Sequence, residues 1–301
     1  MNDTLTDRYG RVIKSLRISI TKKCNLSCIY CHQEGETGNP DKELSVDTIA
    51  KIVSSATGFG VNKVKFSGGE PLMRNDFEEI IAALPALKDI SATTNGVLLA
   101  QRAAALVDSG LDRVNVSVPS LNEEYYKTIT GSSHAYPKVL DGIDAAIDAG
   151  LIPVKLNMVL LKGINDSGID EAIKFIARYD GKVILQLIEL MNFKNNVSRF
   201  MVDIDSIEKM LESRATQISE RSMHRRKKYF IDGVEVELVR PIDNSKFCAN
   251  CNRLRVTASG KLKPCLMRND NLVDINENAT PDEIKGLLEK AVKNREPYYK
   301  G

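Results

Sequence analysis

The chain has 301 residues, 43% of them apolar and 27% charged, and its 42 Lys and Arg against 40 Asp and Glu leave a net charge of +2. This describes a globular protein with room for one large α/β domain plus an appendage, and it excludes binding of nucleic acid through bulk positive charge. No run approaches the roughly 18 apolar residues of a membrane span, and the polar start, MNDTLTDRYGRVIK, lacks the apolar core of a signal peptide; a cytoplasmic protein without a membrane or nucleic-acid partner is expected.

From residue 16 to about 190, short β-branched or apolar runs alternate with longer segments of helical period. Strands are predicted at LRISI (16–20), KVKFS (63–67), ISATT (90–94), RVNVSV (113–118), VKLNMVL (154–160) and VILQLIEL (183–190). Helical patterns such as VDTIAKIVSSATGFG and YPKVLDGIDAAIDAG lie between them, closing with Gly where a C-cap belongs. Strands alternating with helices at this spacing indicate βαβ units and a parallel sheet. The first cysteines follow strand one, SGGEP ends strand two, TTNG ends strand three and Ser117 ends strand four. A barrel gathers functional residues at the C-terminal ends of its strands, so the predicted fold is α/β, a partial (β/α)6 TIM-like barrel.

After residue 190 the alternation fails. DIDSIEKMLESRATQ reads as an amphipathic helix, KKYFIDGVEVELVR as a hairpin with an Asp232-Gly233 turn, and TPDEIKGLLEKAVKN as a closing helix capped by Thr280. The expected division is a barrel core at 1–195 and a C-terminal region at 196–301 that covers the barrel mouth. The basic run RSMHRRKK (221–228) has no interleaved aromatics, and it reads as a solvated edge of the hairpin rather than a nucleic-acid contact.

All six cysteines fall into two trios, Cys24, Cys28, Cys31 and Cys248, Cys251, Cys265. Clustered thiols in a reducing compartment point to metal or catalysis rather than disulfides. Zinc would require a fourth ligand; His32 would have to fold back past Cys31, and His224 lies 24 residues before Cys248. A 4Fe-4S cluster usually takes four thiolates, so three leave one iron open. Seven Lys or Arg against one Asp between Arg240 and Arg268 suggest an anionic ligand beside the second trio. Lys63 and Lys65 share a strand face, as do Arg253 and Arg255; inward-facing cations are costly unless an anion meets them. Gly68 and Gly69 would let a ligand approach the backbone closely.

C-x3-C-x2-C with Tyr30 before the last Cys, followed by Gly68-Gly69-Glu70-Pro71 at the end of strand two, resembles the radical S-adenosylmethionine (SAM) superfamily. With the second trio and CNRLRVTASGKLKPCL, the chain is similar over nearly its whole length to the GTP 3',8-cyclase family of molybdenum cofactor biosynthesis. The resemblance implies two 4Fe-4S clusters and SAM, with the first open iron chelating SAM and the second in the C-terminal extension meeting the guanine of GTP. It implies SAM contacts at Tyr30, Gly68, Gly69, Glu70, Asn95, Ser117 and Met191. It implies GTP contacts at Arg17, Lys63, Lys65, Thr93, Lys155, Arg253 and Arg255, with Arg17, Arg253 and Arg255 also catalytic. Where bacterial members commonly carry Arg, this chain has Gln186, and where many relatives end in Gly-Gly it ends Tyr298-Tyr299-Lys300-Gly301. The implied partners are a flavodoxin- or ferredoxin-like electron donor and cyclic pyranopterin monophosphate synthase as the next enzyme; a homodimer is allowed. The competing readings are a peptide-modifying two-cluster radical SAM enzyme, a zinc-ribbon nucleic-acid-binding protein and an iron-sulfur electron carrier.

Overall fold

The computed structural model describes residues 4–36, 43–191, 197–242 and 244–298, so the expected boundary at 195/196 and the end of the tail, residues 299–301, lie outside it. The six predicted strands form as β1 (Ser15–Ser19), β2 (Lys63–Ser67), β3 (Asp89–Thr94), β4 (Arg113–Ser117), β5 (Val154–Val159) and β6 (Val183–Ile188). They alternate with α1 (Val46–Thr57), α2 (Phe77–Ala82), α3 (Leu99–Asp108), α4 (Glu123–Thr130), α5 (Ala135–Asp148) and α6 (Ile169–Ala177). Side-chain oxygens start several helices by accepting an otherwise unpaired backbone N–H: Ser45 does so for α1 and Asn122 for α4, while Gly131 at φ 72° ends α4.

The C-terminal region adds α7 (Ile204–Arg214), β7 (Gln217–Glu220), β8 (Lys227–Ile231), β9 (Val234–Val239), α8 (Ser245–Ala249), β10 (Arg253–Val256), β11 (Lys261–Lys263), β12 (Val273–Asp274) and α9 (Pro281–Lys293). Asp232 and Gly233 both take positive φ, 50° and 80°, which matches the twist of a two-residue hairpin between β8 and β9. Thr280 and Glu283 form a capping box on α9.

All twelve strands belong to one sheet, in the order β12-β11-β10-β1-β2-β3-β4-β5-β6-β9-β8-β7. β1 to β6 run parallel as the βα period predicts, and the C-terminal region then supplies a parallel neighbour at each side, β10 against β1 and β9 against β6. That region therefore extends the barrel wall at both edges of the core, a placement the expectation of a cover over the mouth does not contain. Its last helix also returns to the core, where Ser55 Oγ of α1 donates to Pro281 O of α9 at 3.3 Å.

Strand alternation divides the two faces. Leu16 and Ile18, Val64 and Phe66, Val114 and Val116, and Leu185 and Leu187 belong to the buried apolar core. The opposite face carries Arg17, Lys65, Thr93, Asn115, Lys155 and Gln186, which line a cavity. A TIM barrel ordinarily fills its interior with branched apolar side chains; here the polar residues keep the interior open.

Gly68 and Gly69 join β2 to the loop that carries the first cysteines. A Cβ on Gly68, at φ +140°, would stand 2.2 Å from Thr21 O, and one on Gly69 would stand 2.2 Å from Lys23 O and 2.6 Å from Lys22 O. The bare backbone is needed because Gly69 N–H donates to Thr21 O and Glu70 N–H to Lys23 O, each at 2.8 Å. Both glycines also line the cavity, but the approach that forbids a side chain is to the protein itself. Gly69→Ala is expected to lower stability by about 1–3 kcal/mol through overpacking and to reduce the iron bound by the first trio. Gly286→Ala, on α9 where a Cβ meets nothing within 4 Å, is expected to add about 0.5–1 kcal/mol. Denaturant unfolding with iron analysis checks both.

Candidate active site

One cavity of about 430 Å³ is lined by both cysteine trios and by every SAM and GTP residue expected from sequence except Glu70. Register brings the cations together. Arg17 on β1 stands opposite Lys65 on β2 and Arg255 on β10, and Asn115 on β4 stands between Thr93 and Lys155. Lys63 lies two residues before Lys65 on the same face, exposed at the rim.

Burial lowers the pKa of Arg17, and Arg255 nearby adds to the shift while Glu34 opposes it. Lys65 is pushed well below its usual range by burial and then by Arg113, Arg17 and Arg253; Arg253 is lowered in the same way by burial, Arg17 and Arg255. Lys65 Nζ donates to Asn115 Oδ1 at 2.6 Å. Among the described residues, neither Lys65 nor Arg253 has a carboxylate within salt-bridge distance. Recessed cations without counter-charge are costly in an empty protein, so this wall is built for an anion.

Glu34 answers part of the charge. Its carboxylate meets Arg255 Nη1 at 2.7 Å and Arg17 Nε at 3.6 Å. Although burial alone would raise its pKa, those guanidiniums hold it at about 2. Two of the expected catalytic arginines thus share one carboxylate from the segment just after the first trio.

The first trio sits on the loop after β1. Ser27 N–H and Ile29 N–H donate to Thr130 O and Ile129 O on α4, at 3.0 and 2.9 Å, and Cys31 N–H closes a turn onto Cys28 O at 3.1 Å. Burial, with Cys31 and Cys24 beside it, pushes the Cys28 thiol up to about 12. Three adjacent thiolates repel one another, and bound metal removes that penalty by deprotonating and neutralising the ligands. Among the described residues no three His, Cys, Asp or Glu side chains gather on a single-ion position. The donor set on each side is thiols alone, which suits an iron-sulfur cluster.

Glu70 is fully buried behind this loop rather than on the cavity. Its oxygens accept from Leu72 N–H (3.0 Å), Thr94 Oγ1 (2.7 Å) and Asn95 N–H (2.6 Å), and burial outweighs these donors to raise its pKa to about 7. The carboxyl therefore holds the end of β3, and Asn95 carries its influence to the cavity: Asn95 Nδ2 donates to Asn25 Oδ1 at 2.7 Å and lies 3.9 Å from Cys24 Sγ.

The second trio spans α8 and the segment after β11. Cys251 N–H donates to Cys248 O at 3.1 Å, the same turn as in the first trio. Arg11 Nη1 donates to Cys248 O at 3.1 Å and Arg295 Nη2 to Cys251 O at 2.9 Å, while both arginines are ion-paired to buried Asp7 at 2.6 and 3.0 Å. Sequence reasoning missed these supports, since Arg11 and Cys248 lie 237 residues apart and Asp7 and Arg295 288 apart, and no motif marks them.

The run 221–228 is also placed differently from its reading as a solvated edge. Arg221 and Arg226 line the cavity, and His224 is buried and stacked on Phe247 of α8 with ring centroids 3.8 Å apart. Glu237 on β9 is wholly buried and binds Lys155 (2.5 Å), Gln186 (2.6 Å), Arg221 (3.0 Å) and Arg226 (3.4 Å). Only its inward strand position could have flagged it from sequence.

Comparison with known proteins agrees with this geometry. Residues 18–176 match the Radical SAM superfamily and residues 183–301 match Molybdenum Cofactor Synthesis C. A relative from Methanosarcina acetivorans named "Probable GTP 3',8-cyclase" is 60% identical over 300 residues, covering 98% of this chain and 90% of its own. A protein of the same name from Archaeoglobus fulgidus is 46% identical over 300 residues, covering 99% and 100%. Among solved structures, Streptococcus suis SuiB bound to S-adenosylmethionine superposes with a TM-score of 0.64 at 14% identity, over 84% of this chain and 60% of SuiB. Native anSMEcpe with bound AdoMet gives 0.60 at 16%, over 90% and 79%. At such identities the likeness is one of fold. A thiol trio after the first barrel strand, a second in the C-terminal region, and close relatives along the whole length lead to one assignment: the chain belongs to the radical SAM superfamily and, within it, to the GTP 3',8-cyclase family.

Proposed function

We propose that the chain converts GTP to (8S)-3',8-cyclo-7,8-dihydroguanosine 5'-triphosphate, the first step of molybdenum cofactor biosynthesis. The observation that carries this reading is a single cavity with a thiol trio on each side and recessed cations between them. Cys24, Cys28 and Cys31 would hold a 4Fe-4S cluster that, with SAM bound, would supply one-electron reductive cleavage to a 5'-deoxyadenosyl group able to take up hydrogen. The substrate gives up hydrogen from ribose C3', its carbon radical bonds to guanine C8, and one electron and one proton complete the product while 5'-deoxyadenosine leaves.

The residues divide this work by position. Tyr30, Gly68, Gly69, Asn95, Ser117 and Met191 surround the SAM side, and Glu70 acts behind them through Asn95. Lys65, Lys155 and Arg253 meet the phosphates, and Arg17 and Arg255 join them by exchanging Glu34 for substrate oxygens. Arginine suits this exchange because its fork matches phosphate as well as carboxylate. The second trio would hold a second 4Fe-4S cluster at the guanine end. Enclosure brings the two reactants together and keeps water from the radical. Both electrons, one for SAM cleavage and one to complete the product, come from a flavodoxin- or ferredoxin-like donor in the cytoplasm, and the labile product passes to cyclic pyranopterin monophosphate synthase.

Anaerobic reconstitution followed by reductant, SAM and GTP is expected to give about eight irons per chain, 5'-deoxyadenosine, and a cyclised guanine product. Zinc in place of iron, or deoxyadenosine formation indifferent to GTP and stimulated by a peptide, would overturn the reading. Arg253→Ala is expected to retain both clusters and SAM binding and to weaken GTP binding or cyclisation about tenfold or more; full cyclisation by this variant removes Arg253 from the site.

A further inference from the structure

Taking GTP as the substrate, we infer that Arg221 and Arg226, on the turn between β7 and β8, are additional phosphate-binding residues, held at the cavity wall by the buried carboxylate of Glu237. Glu237 is one anion against three cations, Lys155, Arg221 and Arg226, and all three line the cavity together with Gln186. The carboxylate has about four acceptor sites. Lys155 and Gln186 use one each and Arg221 Nη1 bridges both oxygens at 3.0 and 3.2 Å, so Arg226 is left with an ion pair at 3.4 Å. Among the described residues, this leaves an excess of two positive charges over the one carboxylate they share. Arg226 Nε is buried and has no hydrogen-bond partner, although the rest of its guanidinium faces Glu237. A buried donor left unpaired costs stability unless a ligand supplies the acceptor.

The turn itself is held in a conformation that its own chain does not favour. His224 and Arg225 take φ of 63° and 50°, where residues with a Cβ are strained, and such strain persists only when surroundings enforce it. The enforcement comes from the second trio: His224 stacks on Phe247, and its N–H donates to Asn250 O at 3.2 Å, between Cys248 and Cys251. Burial and the neighbouring Arg253 and Arg226 keep the imidazole neutral, so it adds no competing charge. The turn thereby delivers two guanidiniums to the wall at which Gln186 provides a neutral amide.

Equilibrium binding of GTP, GDP and GMP to the anaerobically reconstituted full chain tests the assignment. The parent chain is expected to bind GTP tightest and GMP weakest. Arg221→Gln and Arg226→Gln are each expected to weaken GTP about tenfold, to affect GMP little, and so to flatten the ladder, with iron content and SAM binding retained. Adding Gln186→Arg to Arg226→Gln, which restores a guanidinium on Glu237, is expected to recover most of the loss. If Arg226→Gln does not fold, Arg226→Lys keeps the charge while removing the fork, and it should still weaken GTP more than GMP. A ladder as steep in the variants as in the parent, or equal weakening of all three nucleotides, would show that the arginines only pin the hairpin and would overturn the inference. Failure of the parent chain to bind GTP at all would instead overturn the substrate assignment.

Discussion

Positive charge withdrawn from water without an equal number of carboxylates is the constraint around which this molecule is arranged. Arg17, Lys65 and Arg253 face one interior, and among the described residues Arg17 alone of these is ion-paired, to Glu34. A barrel filled with apolar side chains would be more stable in isolation. This one forgoes that packing on its inner face and places its apolar core outside, between sheet and helices. Glu34 and Glu237 moderate the repulsion at two points without neutralising it, which leaves a cavity whose electrostatics favour a polyanion over a neutral or cationic ligand.

Much of this was legible in the sequence because local chemistry specifies it. Strand alternation located all six core strands, Asp232-Gly233 marked its hairpin, and Thr280 marked the start of α9. The thiol spacings located both trios. What could not be read depends on contacts between distant residues: Asp7 joining Arg11 and Arg295 behind the second trio, or Glu237 collecting side chains from β5, β6 and the 221–226 turn. A basic run such as RSMHRRKK has the same composition whether it faces solvent or a cavity; only the stacking of His224 on Phe247 decides it.

Three motif residues carry their signal for a further structural reason. Gly68 and Gly69 are bare chiefly so that the cysteine loop can lie against them, and Glu70 secures backbone and hydroxyl donors of β3 instead of facing the cavity. The glycines line the cavity as well, whereas Glu70 acts from behind by fixing the elements that line it. Positional precision of this kind matters for radical chemistry, since proximity contributes only when reacting atoms are held in place.

The pairing of β1 with both β2 and β10 also bears on how the protein comes into being. On the ribosome β1 and β2 emerge first, and β10, Cys265 and the Arg295 that supports Cys251 follow only after the other core strands. The first thiol loop can settle on Gly68, Gly69 and α4 while synthesis continues, but the second has no wall to join until β10 and Arg295 have followed. Assembly of the cavity is consequently ordered: the wall around the second trio can form only after β10 has emerged, and a nascent chain stalled before β10 would expose an open barrel edge to aggregation.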